Sequence, residues 1–146
     1  MSHISTVEIR VDDLEALADA AEHLSLELRL EQRTFVTYAG NRTPCEAAIT
    51  NPANVNSYEV GVVKEGTGYR LAYDDWAGGK GMIAKTGAKC EKILVEYGVA
   101  KPRRLAKKKG WAYREERAKN GGVQCYVTPP TGWSGSQATS TSTKRW

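Results

Sequence analysis

Histidine is scarce in this sequence, with His3 and His23 the two examples in 146 residues. Neither has a Cys or Ser partner nearby, so a nucleophile–base dyad has no support and no catalytic residue is assigned. His23 falls near the end of a helical pattern, where the helix dipole favours a cation. The three cysteines, Cys45, Cys90 and Cys125, are far apart and never form Cys-x-x-Cys, which leaves neither a zinc spacing nor a disulfide framework. They read as reduced thiols, with Cys90 and Cys125 on apolar faces. No apolar run approaches the roughly 20 residues of a membrane span. Met1-Ser2-His3-Ile4-Ser5 is not a cationic lead into an apolar stretch, so no secretory signal is expected. These absences point to a cytoplasmic, non-catalytic protein without cofactor, metal or membrane partner.

What is present suits one globular domain, since 40% of residues are hydrophobic and 26% charged. The net charge of +4 hides an asymmetry. Residues 1–32 carry eight acidic and two basic side chains, whereas residues 85–119 carry twelve basic and four acidic ones. Such polarity either attracts an anionic partner or holds the two ends of the chain together.

Val7, Ile9 and Val11 alternate with polar residues as in a half-buried strand. Leu14, Leu17, Ala18, Ala21 and Leu24 then follow helical spacing, with Asp12 and Glu15 placed as a capping box. Leu26, Leu28 and Leu30 predict a second strand, with residues 35–38 as its hairpin partner before a turn at Gly40-Asn41. Asn51-Pro52-Ala53-Asn54 is a loop between short strands near 45–49 and 58–63. Lys64–Gly68 turns into an alternating strand at Tyr69, Leu71 and Tyr73. Ile83, Cys90, Ile93, Leu94 and Tyr97 predict a helix that Gly98 and Pro102 weaken. Trp111 and Tyr113 mark a strand, Asn120-Gly121-Gly122 a hairpin turn, and Val123, Cys125 and Val127 a last strand. The expected architecture is α+β: two β-α-β-β halves of mostly antiparallel sheet, with helices packed on one face. Residues 1–128 form that domain. Residues 129–146 are expected to be a flexible tail, because twelve of the eighteen are Pro, Gly, Ser or Thr.

The basic run is the strongest functional feature. Lys101, Arg103, Arg104, Lys107, Lys108 and Lys109 are six cations in nine residues, and Trp111 and Tyr113 follow directly. With Pro102 as the first residue of a short helix, the cations fan over about 160° and Leu105 packs inward. Cations that track phosphates beside rings that stack on bases suit nucleic acid, single strands above all, or another polyanion. A weaker candidate is Gly78-Gly79-Lys80-Gly81, a glycine-rich loop before a helix whose amides and Lys80 would cradle phosphate. It lacks the spacing of a nucleoside-triphosphate loop. Asp74-Asp75 offers two carboxylates to a divalent ion, but neighbours on a strand point to opposite faces, and no metal is assigned.

Several short stretches are similar to the hypothetical chloroplast open reading frame 35 family, a domain family of plastids, cyanobacteria and phages with no assigned activity. They are the opening Met1–Ser5, Tyr38-Ala39-Gly40, Tyr58-Glu59-Val60-Gly61-Val62, Tyr69–Asp74, Tyr97, Ala106, Gly110-Trp111 and the final Arg145-Trp146. The resemblance covers about residues 1–128 and departs from the family at Pro102 and in the long Ser/Thr tail. It implies a fold and brings no chemistry. The expected function is therefore a non-catalytic binding protein that presents a basic surface to nucleic acid or another polyanion. Two alternatives are a small-ligand (nucleotide-like) binding or sequestering accessory protein of the kind phages encode, and a protein–protein adaptor working through Trp146 in the tail.

Overall fold

Alternating apolar residues in the first half of the chain build one antiparallel sheet. The computed structural model describes residues 4–130 and 139–143. Strands β1 (Ile4–Val11), β2 (Glu27–Arg29), β5 (Ala47–Thr50), β6 (Val60–Glu65) and β7 (Gly68–Asp74) lie in the order β1-β7-β6-β5-β2. Ala47, Ile49, Val60, Val62 and Leu71 share one face, and helices α1 (Leu14–His23) and α3 (Glu91–Lys109) cover it. Leu17, Ala16, Ala20 and Ala21 of α1 meet Ile93, Leu94, Tyr97 and Ala100 of α3 in that core. The cap of α1 is Asp13, one residue later than the expected Asp12, and its Oδ1 accepts the amides of Glu15 and Ala16. Asp12 is drawn off by Tyr97 and Lys101 of α3 instead.

The other face of the sheet is covered by a small hairpin, β3 (Thr34–Val36) and β4 (Arg42–Pro44), which packs Phe35 on Ala48 and Ala72. Gly61 makes this possible: a β-carbon there would lie 2.3 Å from Phe35 Cδ1. The expected pairing of residues 35–38 with the Leu26–Leu30 strand is therefore incorrect. β2 pairs with β5, which lets Leu28 pack against the main core, while β3 pairs across its own turn at Tyr38–Gly40.

The expected helix from Ile83 to Tyr97 is two helices, α2 (Met82–Thr86) and α3, separated at Gly87 with φ +87°. α3 then continues through Pro102 rather than restarting there. An interior proline costs about 3 kcal/mol in an unsupported helix. Here the buried Val99, Ala100 and Ala106 on either side hold the helix in register. Leu105, expected to pack inward, is 43% exposed, and Ala106 is buried instead.

The second flank of α3 packs against a smaller antiparallel sheet, ordered β10-β9-β8, of β8 (Ala112–Arg117), β9 (Val123–Thr128) and β10 (Thr139–Thr143). Val95 and Val99 of α3 meet Val123 and Cys125, with Tyr113 packed alongside. The class is thus α+β, as the sequence implies. The runs β1-α1-β2-β3 and β7-α3-β8-β9 occur in that order, but they are not two equivalent halves, because β7 belongs to the large sheet and β8–β9 to the small one. Residues 139–143, expected to belong to the tail, pair with β9, and three of the five are Thr, whose branched side chain favours extended backbone. Trp133 and Trp146 lie outside the described residues.

Candidate nucleic-acid interface

Half of the basic run is already neutralised. Lys101 Nζ lies 2.8 Å from Asp12 Oδ1, and the Tyr97 hydroxyl donates to the same oxygen at 2.7 Å. That hydroxyl also accepts the amides of Asp12 and Asp13, fixing the start of α1 against α3. Hydrogen bonds from Lys101 and Tyr97 hold the Asp12 carboxyl below its ordinary range. Arg104 reaches Asp19 at 3.2 Å and also pairs with Glu15. Arg103 pairs with Glu115 of β8 at 2.8 Å, and its other terminal nitrogen meets His23 Nε2. A guanidinium can only donate, so His23 accepts on that nitrogen. The acidic amino-terminal and basic carboxy-terminal segments therefore do attract each other, helix to helix.

Lys107, Lys108 and Lys109 differ. All three are exposed and make no ion pair among the described residues. They occupy the last turn of α3, where the carbonyl ends favour cations. Gly110, at φ +70°, closes that turn in the left-handed conformation, with its amide bonded back to Ala106 and Lys107. Trp111 N then bonds to Ala106 O at 2.8 Å, which folds the indole back beside the lysines. Lys109 Nζ sits 5.1 Å from the centre of the Trp111 ring.

Tyr113 faces the other way. Its hydroxyl donates to Glu115 at 2.9 Å and contacts Cys125 Sγ at 3.4 Å, and its ring lies beneath Arg103. Burial, reinforced by Cys125 and Glu115, pushes the phenol far above its ordinary value. Burial alone would also raise Glu115, but hydrogen bonds from Arg103, Arg117 and Tyr113 outweigh it and hold the carboxyl at about 2. Arg117 in turn grips the buried Glu96 of α3 through two contacts, at 2.5 and 2.9 Å. Tyr113, Arg103, Glu115, Arg117 and Glu96 thus rivet the small sheet to α3. The sequence reading missed Arg114 and Tyr126. They are directly opposed on β8 and β9, on the face turned away from α3, with the guanidinium 4.1 Å from the ring centre. Strand alternation counted from Tyr113 assigns them to that outer face.

The glycine loop does not form a phosphate cradle. Ala77, Gly78, Gly79 and Lys80 all have φ between +52° and +64°, one continuous left-handed turn. An anion-binding nest uses amides converging from a turn or from residues of opposite hand. Here the Met82 amide returns to Gly78 O and Gly79 O, and α2 has five residues. The turn serves to join loops: Tyr58 N bonds to Gly79 O at 2.9 Å, and Asn54 Nδ2 to Lys80 O at 3.1 Å. Asp74 is buried and gives its two carboxylate oxygens to the amides of Tyr38 and Trp76, both at 3.0 Å, while Asp75 is exposed. The Asp74-Asp75 pair is therefore split between a structural clasp and the surface. Tyr38 and Trp76 meet edge to face at 4.7 Å, and Lys80 Nζ stands 5.3 Å from the Trp76 ring centre. No helix among the described residues is long and apolar enough to cross a membrane. No family model matches the chain, and neither a curated protein nor a solved structure matches it.

Proposed function

We propose that the protein binds nucleic acid or another polyanion, without catalysis, through the carboxy-terminal end of α3. The observation that carries this reading is the unneutralised triplet Lys107, Lys108 and Lys109 beside Trp111, at the end of a basic run whose first three cations, Lys101, Arg103 and Arg104, are paired with acids. Lys101, Arg103 and Arg104 position that end and do not contact the ligand. Tyr126 supplies a second aromatic element on the outer face of the small sheet, beneath Arg114, which is itself paired with Glu116. Part of the same proposal is a cytoplasmic location, which the free thiols of Cys45, Cys90 and Cys125 support. So is membership of the chloroplast open reading frame 35 family, from which no activity transfers.

Titration of fluorescent single-stranded and duplex oligonucleotides across a salt series tests the reading. Three phosphate contacts give a log–log slope of about −2 for single strands and about −3 for duplex. Replacing the three lysines by Gln flattens that slope towards zero. Absence of salt-sensitive binding at about 50 mM salt, where such contacts are strong, overturns the proposal.

A further inference from the structure

A hollow of about 590 Å³ opens on the far side of the molecule's left-handed turn, between the Tyr38–Gly40 turn and the loop before β6. Val36, Ala39, Val55 and Tyr58 form its apolar walls, and Lys80 and Asn56 reach its rim. Its size is within the range of small-molecule sites. Val55 is 93% exposed, an apolar side chain left uncovered at the mouth. Lys80 makes no ion pair among the described residues, and its ammonium rests on the Trp76 ring. Among the described residues no Asp or Glu is part of its lining, and the exposed Asp75 at the start of the Lys80 turn is the acid left without a side-chain hydrogen bond to the backbone. Asp74 is spent on two backbone amides, and Glu59 on Val36 N and the Gln32 side chain. Ala39, Ala77 and Lys80 hold φ of +60°, +52° and +55°, a backbone that side chains with a β-carbon adopt at a cost. Two of them, Ala39 and Lys80, line the hollow, whose shape is thus imposed by its surroundings.

We propose that this hollow binds a small phosphate monoester with a planar body, of the nucleoside monophosphate class, with the phosphate on Lys80 and Asn56 and the ring against Val36, Val55 and Tyr58. Lys80 swings from Trp76 to the phosphate on binding. The site is separate from the lysines of α3 and does not depend on their role.

Two-dimensional amide NMR with AMP and with phenyl phosphate as probes, and adenosine and inorganic phosphate as controls, decides the matter. The expected result is saturable shifts at Ala39, Gly40, Val55, Asn56 and Lys80 for at least one monoester, with affinity about tenfold or more above both controls. Lys80→Asn, which tolerates the left-handed backbone and removes the charge, weakens that binding about tenfold while spectral dispersion is retained. Lys80→Gly gives the same loss and removes the backbone strain, so a folding defect in the first variant does not confuse the outcome. The proposal fails if neither monoester binds, if the shifts centre on Lys107–Trp111, or if neither variant weakens binding.

Discussion

The two ends of α3 use the same backbone for opposite purposes. From Glu91 to Ala100 the helix is buried on two flanks, Ile93, Leu94 and Tyr97 against the large sheet and Val95 and Val99 against the small one. From Lys101 to Lys109 only Ala106 is buried, and the side chains divide into cations tied to acids and cations facing solvent. Burial on two sides leaves the first end no freedom to take part in recognition. The second end is held by charge at its start and released at its tip. A helix can therefore be buried scaffold at one end and exposed charged surface at the other, the change occurring along its axis.

That contrast gives three expectations of decreasing size. Ile93→Ala, at a fully buried position, is expected to destabilise by about 2–5 kcal/mol in urea melts. A loss near zero would mean that the first end is not the anchor. Glu115→Gln removes the carboxylate that joins Arg103 to Arg117 and is expected to cost about 1–3 kcal/mol at neutral pH. Because the folded-state value of Glu115, about 2, lies below its ordinary 4.5, its stabilisation is complete above about pH 4.5 and is lost as pH falls towards 2. The wild-type advantage over the Gln variant should shrink over that interval, and an advantage constant with pH would remove Glu115 from the rivet. Lys107→Gln, Lys108→Gln and Lys109→Gln are each expected to change stability by no more than about 0.5 kcal/mol. A larger loss would show that the tip is structural rather than free.

How much of this was legible depended on the range of the interaction. The β6–β7 hairpin at Gly66-Thr67, the β8–β9 hairpin at Asn120–Gly122 and the apolar stripe of α1 follow from period and turn chemistry, which are local. The course of α3 through Pro102 was not, because the burial of Val99 and Ala106 that sustains it is tertiary. Both readings of the charge asymmetry were open from composition. Only the contacts of Lys101, Arg103 and Arg104 show that part of the basic run is internal. At the glycine loop, Gly78 and Gly79 announced a turn, but nothing in Ala77 or Lys80 signals a left-handed conformation, which side chains of that kind normally avoid. Arg114 and Tyr126 lie outside the basic run, and alternation along β8 from Tyr113 together with the pairing of β8 and β9 is what brings them to one face.

The clasp between α1 and α3 also bears on how the chain acquires its structure during synthesis. Asp12 meets Tyr97 across 85 positions, and Glu15 meets Arg104 across 89. At about 5–20 residues per second, a ribosome needs roughly 4–18 s to separate the appearance of the two partners. During that interval α1 has neither its ionic partners nor the apolar cover of α3, and Leu17 and its neighbours wait exposed. Contacts of such long sequence separation are closed late and slowly. Folding on the ribosome should therefore be a single late event rather than a stepwise one, with the nascent amino-terminal segment a natural client for a holdase until α3 emerges.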